Sequence, residues 1–330
     1  MTWLVWRQHR HQAYFAAALL AVFAILMLVT GRQIASQYQS ALTSCGATHS
    51  CGNLASTLTL GTPLLSLLAA FTVVAPCLLG VFWGGPLVAR ELETGTSQFA
   101  WMQSITRGRW LLVKVGWALL AAAAWGGAVS ALVTWWSSPA NALNQQRFQP
   151  GQFDIQGIVP VGYAVFAVAL GIAAGALLRR TLPAMAITVG VFALLRLVIG
   201  QDLRSHYLSA VTILNTFGHR MKAPTGSYWL VSQGLIGPGG RLLTTSSLAS
   251  GVSINGVPLS EMPPACQAVA FQGPVKVTSC LAAHGYRGIF TSYQPAGRYW
   301  AFQGIETGIF VFLAAALIAV TAIVVLRRDA

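Results

Sequence analysis

The chain has 330 residues, 55% of them hydrophobic and only 8% charged, with a formal net charge of +13 and a mean hydropathy of +0.63. A soluble globular domain carries roughly 25% charged residues, so this composition excludes that class and predicts an integral membrane protein. The surplus of Lys and Arg fits the positive-inside bias, and no basic stripe with interleaved aromatics occurs, so no nucleic-acid partner is expected.

A spanning helix needs about 20 apolar residues. Six segments qualify, at 13–30, 58–88, 110–136, 157–178, 183–200 and 303–326. The predicted fold class is an all-α polytopic membrane protein: six transmembrane helices with a large outer loop before the last span. Residues 1–12 carry Trp3, Trp6, Arg7 and Arg10 at helical spacing, which suits a short N-terminal helix lying at the interface. The apolar run that follows is longer than a signal-peptide h-region of about 7–15 residues, so it reads as an uncleaved first span. The second span holds Pro63, Pro76 and Gly84-Gly85-Pro86, which predict a kink or tilt.

Between the second and third spans lies a connector, 89–109, where charge is concentrated: Arg90, Glu91 and Glu93, then Arg107 and Arg109. Arg179 and Arg180 join the fourth and fifth spans, and Arg327 and Arg328 follow the sixth. These dense, short, basic segments fall on one side of the alternating spans, together with Arg7, Arg10 and Lys114. The positive-inside rule therefore predicts cytoplasmic termini in the cytoplasmic (inner) membrane.

That orientation puts three loops outside, around 31–57, 137–156 and 201–302. The first holds Cys45 and Cys51 and the third Cys266 and Cys280, while Cys77 sits alone in the second span. Two pairs on an oxidising face predict the disulfides Cys45–Cys51 and Cys266–Cys280. Cys45-x-x-x-His49-x-Cys51 matches no common zinc spacing, and no metal site is expected. In the third loop, Tyr228-Trp229-Leu230-Val231 and Leu235-Ile236 are apolar. They predict either a re-entrant element or a small subdomain over 201–302 with its own core.

Two ionisable residues fall within spans, Arg196 near the end of the fifth and Glu306 near the start of the sixth. At similar depth they would form an intramembrane ion pair, the alternative being separate snorkelling to the interface. Small-residue pairs at Gly80/Gly84, Gly171/Gly175 and Gly304/Gly308 would let helix backbones approach closely.

Catalytic motifs are missing. Lys114, Lys222 and Lys276 are the only lysines and none follows a glycine, so there is no phosphate-binding P-loop. Gly251-Val252-Ser253-Ile254-Asn255 fails as a serine-hydrolase elbow at its last position. His206, His219 and His284, with Asp154, Asp202 and Glu261, could in principle assemble an outer-face acid–base site. No cofactor is expected in this chain.

The connector Arg90-Glu91-Leu92-Glu93-Thr94-Gly95-Thr96, continuing through Trp101-Met102-Gln103-Ser104-Ile105-Thr106-Arg107, resembles that of ABC exporter permeases of the six-span, ABCG-like (type V) class, in the actinobacterial form. The opening Trp3-Leu4-Val5-Trp6-Arg7-Gln8-His9-Arg10 is similar to the start of those subunits. The resemblance implies a separate ABC ATPase subunit that holds ATP and Mg, and a second permease copy in a homodimer surrounded by membrane lipid. It implies that the connector is a coupling helix, with Arg90, Glu91, Glu93 and Arg107 at the joint, Gly95 and Thr96 shaping its turn, and Arg179 and Arg180 in a second contact. By the same likeness the second and fifth spans line a path, with Phe71, Phe82, Phe192 and Leu195 as candidate lining residues. A path with so little charge implies an apolar or amphipathic cargo, and the resemblance implies export. Replacing Glu91 and Glu93 by Ala would then uncouple transport without preventing membrane insertion. The rivals are a membrane enzyme with its active site in the 201–302 loop and a non-transporting anchor or sensor subunit.

Overall fold

The computed structural model describes residues 2–48, 63–95, 106–144, 148, 150–219, 222, 224, 228–244, 253–254, 257–258 and 262–327. Six helices in it are long and apolar enough to cross a membrane: Ala13–Gln37, Leu67–Glu93, Arg107–Ser138, Val159–Leu178, Thr181–His206 and Ala296–Arg327. The chain divides into two compact units, a helical one (Met1–Arg204 with Trp300–Ala330) and a smaller one (Ser205–Tyr299).

In the helical unit, α1 (Thr2–Thr48) is continuous. The segment 1–12, expected as a separate interfacial helix, therefore extends the first span from Thr2 onward. No proline or glycine in it breaks the helical ladder. The second crossing is composite: α2 (Pro63–Leu79), a π-helical turn (Gly80–Gly84) and α3 (Gly85–Glu93). Pro76 has no N–H to give the helix, and the wide turn follows one residue-turn later. The expected kink is thus a local change of helical pitch. α4 (Arg107–Asn144) and α5 (Val159–Leu178) are joined through a short turn at Pro150–Phe153. α6 (Thr181–Val198) runs into a second π turn, Ile199–Leu203. The last helix, labelled α8 below, covers Tyr299–Arg327.

α5 is the centre of this unit. Its sequence has no polar face, and 78% of its apolar window is buried, as expected for a helix enclosed on all sides. Lipid offers little hydrophobic gain for helix association, so close packing of small residues must provide contact. α5 supplies Gly171 and Gly175 for this. A Cβ on Gly171 would lie 2.3 Å from the Gly80 carbonyl oxygen, and one on Gly175 would lie 2.7 Å from that of Gly85. From the opposite side, a Cβ on Gly80 would reach the Ala167 carbonyl oxygen at 2.4 Å. Two of the three small-residue pairs therefore face one another across a single seam, which is where the π turn lies. Around Gly304 and Gly308, in contrast, there is open space.

The smaller unit settles the alternatives for the third loop. β1 (Val211–Thr216), β2 (Tyr228–Ile236), β3 (Leu242–Thr244) and β6 (Gly288–Pro295) form an antiparallel sheet in the order β1-β6-β2-β3. β4 (Ser253–Ile254) and β5 (Val257–Pro258) form a two-stranded ribbon, and α7 (Pro274–Ala283) precedes β6. Leu235 and Ile289 of the sheet pack with Met262, Cys266, Val277 and Leu281. This is a folded subdomain with an apolar core, and Tyr228–Ile236 is one of its strands. A disulfide joins Cys266 to Cys280 as expected. The proposed Cys45–Cys51 pair lies outside the described residues.

Candidate functional site

Among the described residues, a polar cluster lies at each end of α5. The first is at the connector. Arg90, Glu91 and Glu93 belong to the last turn of α3, and Arg107 to the first turn of α4, so the connecting segment is 94–106 rather than 89–109. Thr94 closes α3, its N–H bonding the Arg90 carbonyl at 3.0 Å, and Gly95 takes the left-handed conformation (φ 70°) that favours glycine after a helix. Thr96 lies outside the described residues.

Glu91 and Glu93 are both engaged within the chain. The Lys114 ammonium donates to Glu91 Oε1, and its side chain is only 4% exposed. It also lies 4.8 Å from the centre of the Trp110 ring, one turn earlier on α4. Glu93 Oε2 accepts from the Thr181 N–H at 3.2 Å and from its hydroxyl at 2.8 Å. That places a carboxylate at the N-terminus of α6, where free N–H groups and the helix dipole favour an anion. The N-cap residue itself, Arg180, gives no side-chain cap, so an acid from α3 substitutes for it. Arg179 makes the turn between α5 and α6 with φ 53°, a conformation unusual for a side chain with a Cβ. Arg179, Arg180 and Glu93 thus meet at one short turn. The end of α3 is tied to α4 through Glu91 and to α6 through Glu93.

The second cluster is at the other end of α5. Arg204 is 2% exposed and holds Glu306 with a two-bond fork, Nε to Oε2 at 2.8 Å and Nη2 to Oε1 at 2.7 Å. The same Nη2 bonds Asp154, and Arg196 reaches the other oxygen of Asp154 at 3.2 Å. Tyr163 donates to Glu306 Oε1 at 2.5 Å, with its ring 4.7 Å from the Arg196 guanidinium. Two guanidinium groups and two carboxylates balance formally, which is how buried charge is tolerated. Arg196 and Glu306 were expected to pair directly. The structure instead gives Arg196 the partner Asp154 and Glu306 the partner Arg204, because the π turn carries the end of the fifth span one further turn and brings Arg204 inward. With only seven acidic residues in the chain, the scarcity of acid was the available signal for Asp154.

Gln303 of α8 completes this end. Its Oε1 accepts from the N–H groups of Ile158 and Val159 at 2.9 and 3.0 Å, and its amide donates to the Phe153 carbonyl. So α5, like α6, is capped by a side chain from another helix.

The four candidate path residues differ in their surroundings. Phe71 packs on Phe23 of α1, and Phe192 is buried against Phe166 and Tyr163 of α5. Phe82 is 61% exposed, and Leu195 is half-buried. Of the loop histidines, His206 lies beside Ser205 and His284 beside the disulfide.

Six helices long and apolar enough to span, a glycine seam around a buried central helix and polar clusters at its two ends are the architecture of a multi-pass membrane protein. The family model described as ABC-2 membrane transporter related matches residues 17–204, more than half of the chain. The chain belongs to that family, and it is an ABC-2 type permease. The match ends at Arg204, where the helical unit gives way to the sheet-containing one. No curated protein and no solved structure matches the chain.

Proposed function

We propose that this chain is the membrane subunit of an ATP-driven exporter whose ATPase is a separate polypeptide holding ATP and Mg. It works as a homodimer in the inner membrane with both termini cytoplasmic, and it moves an apolar or amphipathic cargo. Membrane components of this family normally work with an ATPase subunit. The observation that carries the reading is the double tether at the end of α3, Glu91 to Lys114 and Glu93 to Thr181. A force applied to the segment 94–106 would reach α3, α4 and α6 together. The acids then act as the internal linkage behind the docking segment, and the ATPase contacts fall on Arg90, Gly95, Thr96, Arg107 and the Arg179–Arg180 turn. Arg90 at the end of α3, Arg107 at the start of α4, the Arg179–Arg180 turn before α6 and Arg327 at the end of α8 support the cytoplasmic assignment by the positive-inside rule.

The test is purification in mild detergent with mass spectrometry of what co-purifies. A stoichiometric protein containing Gly-x-x-x-x-Gly-Lys-Ser/Thr is the expected result, with native mass giving two copies of each chain. Repeated isolation of this chain alone from intact membranes would sink the exporter reading.

A further inference from the structure

Three groups that ligate soft metals converge in the smaller unit. Cys266 and Cys280 are joined as a disulfide, and Nδ1 of His284 lies 3.7 Å from the Cys266 sulfur and 3.9 Å from that of Cys280. One ligand atom from each of the three lies within 4.8 Å of the others. Cys280 and His284 are four residues apart at the end of α7, so one helical turn aligns them on a face. Cys266 comes from the short turn Pro264–Gln267, held in place by Leu235, Val277 and Leu281. Cys266 is buried, Cys280 half-buried and His284 exposed, so this corner opens to solvent on the His284 side.

We propose that reduction converts this disulfide into a Cys2His site for a thiophilic d10 cation such as Zn2+. A dithiol reductant supplies two electrons and two protons and leaves as its own disulfide, while the Cys266–Cys280 bond breaks to give two thiols. A divalent cation then displaces both thiol protons, binding two thiolates and one neutral imidazole nitrogen. Water from the open side fills the fourth tetrahedral position. The Cys280 carbonyl, 2.9 Å from His284 Nδ1, orients the ring if the metal takes Nε2 and is released if it takes Nδ1. The oxidised form offers no thiolate, so the site is closed until it is reduced. The metal therefore reports the redox state of the unit.

The experiment uses the full chain in detergent with Cys45→Ser, Cys51→Ser and Cys77→Ser, which leaves this pair as its only cysteines. Cd2+ is titrated in before and after phosphine reduction, following the sulfur-to-cadmium charge-transfer band and bound metal after dialysis. The expected result is no binding when oxidised and one equivalent per chain when reduced. Cys280→Ser removes that binding, and His284→Ala weakens it about tenfold or more. A reduced chain that takes up no cadmium overturns the proposal, whether its ligands fail to converge or the unit loosens. Undiminished binding in His284→Ala overturns it too. Neither result bears on the exporter reading.

Discussion

Glu91 and Glu93 are two residues apart on one helix end, and they have different burdens. Glu91 neutralises a buried ammonium, so Glu91→Ala leaves Lys114 charged and unpaired. That should cost about 3 kcal/mol or more, read as a lower melting temperature in detergent, and Glu91→Ala with Lys114→Met should recover most of it. Glu93 is exposed and caps α6, so Glu93→Ala should leave the melting temperature nearly unchanged. On the exporter reading it should still lower cargo transport per ATP hydrolysed, while Thr181→Ser, which keeps both donors, should not. A Glu93→Ala protein with wild-type coupling would remove Glu93 from the linkage. The double replacement suggested by the sequence thus mixes a stability effect with a coupling effect, and only the single variants separate them. The acids were legible as exceptional in a nearly uncharged region. Their partners were not, since Lys114 is 23 residues away and Thr181 is 88.

At the level of elements, the seam between α5 and the π turn decides how the helices approach. Gly171→Ala would force a methyl group against the Gly80 carbonyl and should destabilise by about 1–3 kcal/mol, measured by thermal unfolding in detergent. Gly308→Ala, with open space around it in this chain, should be neutral in the same measurement. The three glycine pairs are equivalent as spacing, and only packing distinguishes the two that meet from the one that faces outward. Helix capping shows a similar division. The end of α3 at Gly95 is set by a local device, a glycine just past the helix, although the span expected from the sequence closes at 88. The caps of α5 and α6 come from Gln303 and Glu93, on other helices, where no local motif points to them. Gln303→Leu should cost about 1–3 kcal/mol by leaving the buried N–H groups of Ile158 and Val159 unsatisfied. An unchanged melting temperature would show that these groups find another partner.

For the molecule as a whole, the Arg204 cluster joins the turn before α5, α5 itself, the end of the fifth span and the start of α8. Arg196 extends the set to α2 by donating to the Val73 carbonyl at 2.5 Å. Asp154 is shared by both arginines, so Asp154→Asn should be more damaging than Arg196→Met. The first leaves a guanidinium surplus in a buried network and should cost about 3–5 kcal/mol. The second leaves Asp154 still paired with Arg204, and a ranking in the opposite order by melting temperature would show that Arg196 dominates the network. By itself the sequence determined the membrane class, the six spans, the basic ends and the Cys266–Cys280 pair. The first three rest on transfer free energy or charge summed over neighbouring residues, and the pair on two cysteines within one outer loop, so short stretches of sequence contain the information. Tertiary structure alone decided that Glu306 meets Arg204, that Glu93 caps α6, that the long loop folds around a sheet and that Phe192 packs inward. Those outcomes depend on which atoms, distant along the chain, come within a few ångströms once the helices pack, and no window of sequence holds that geometry.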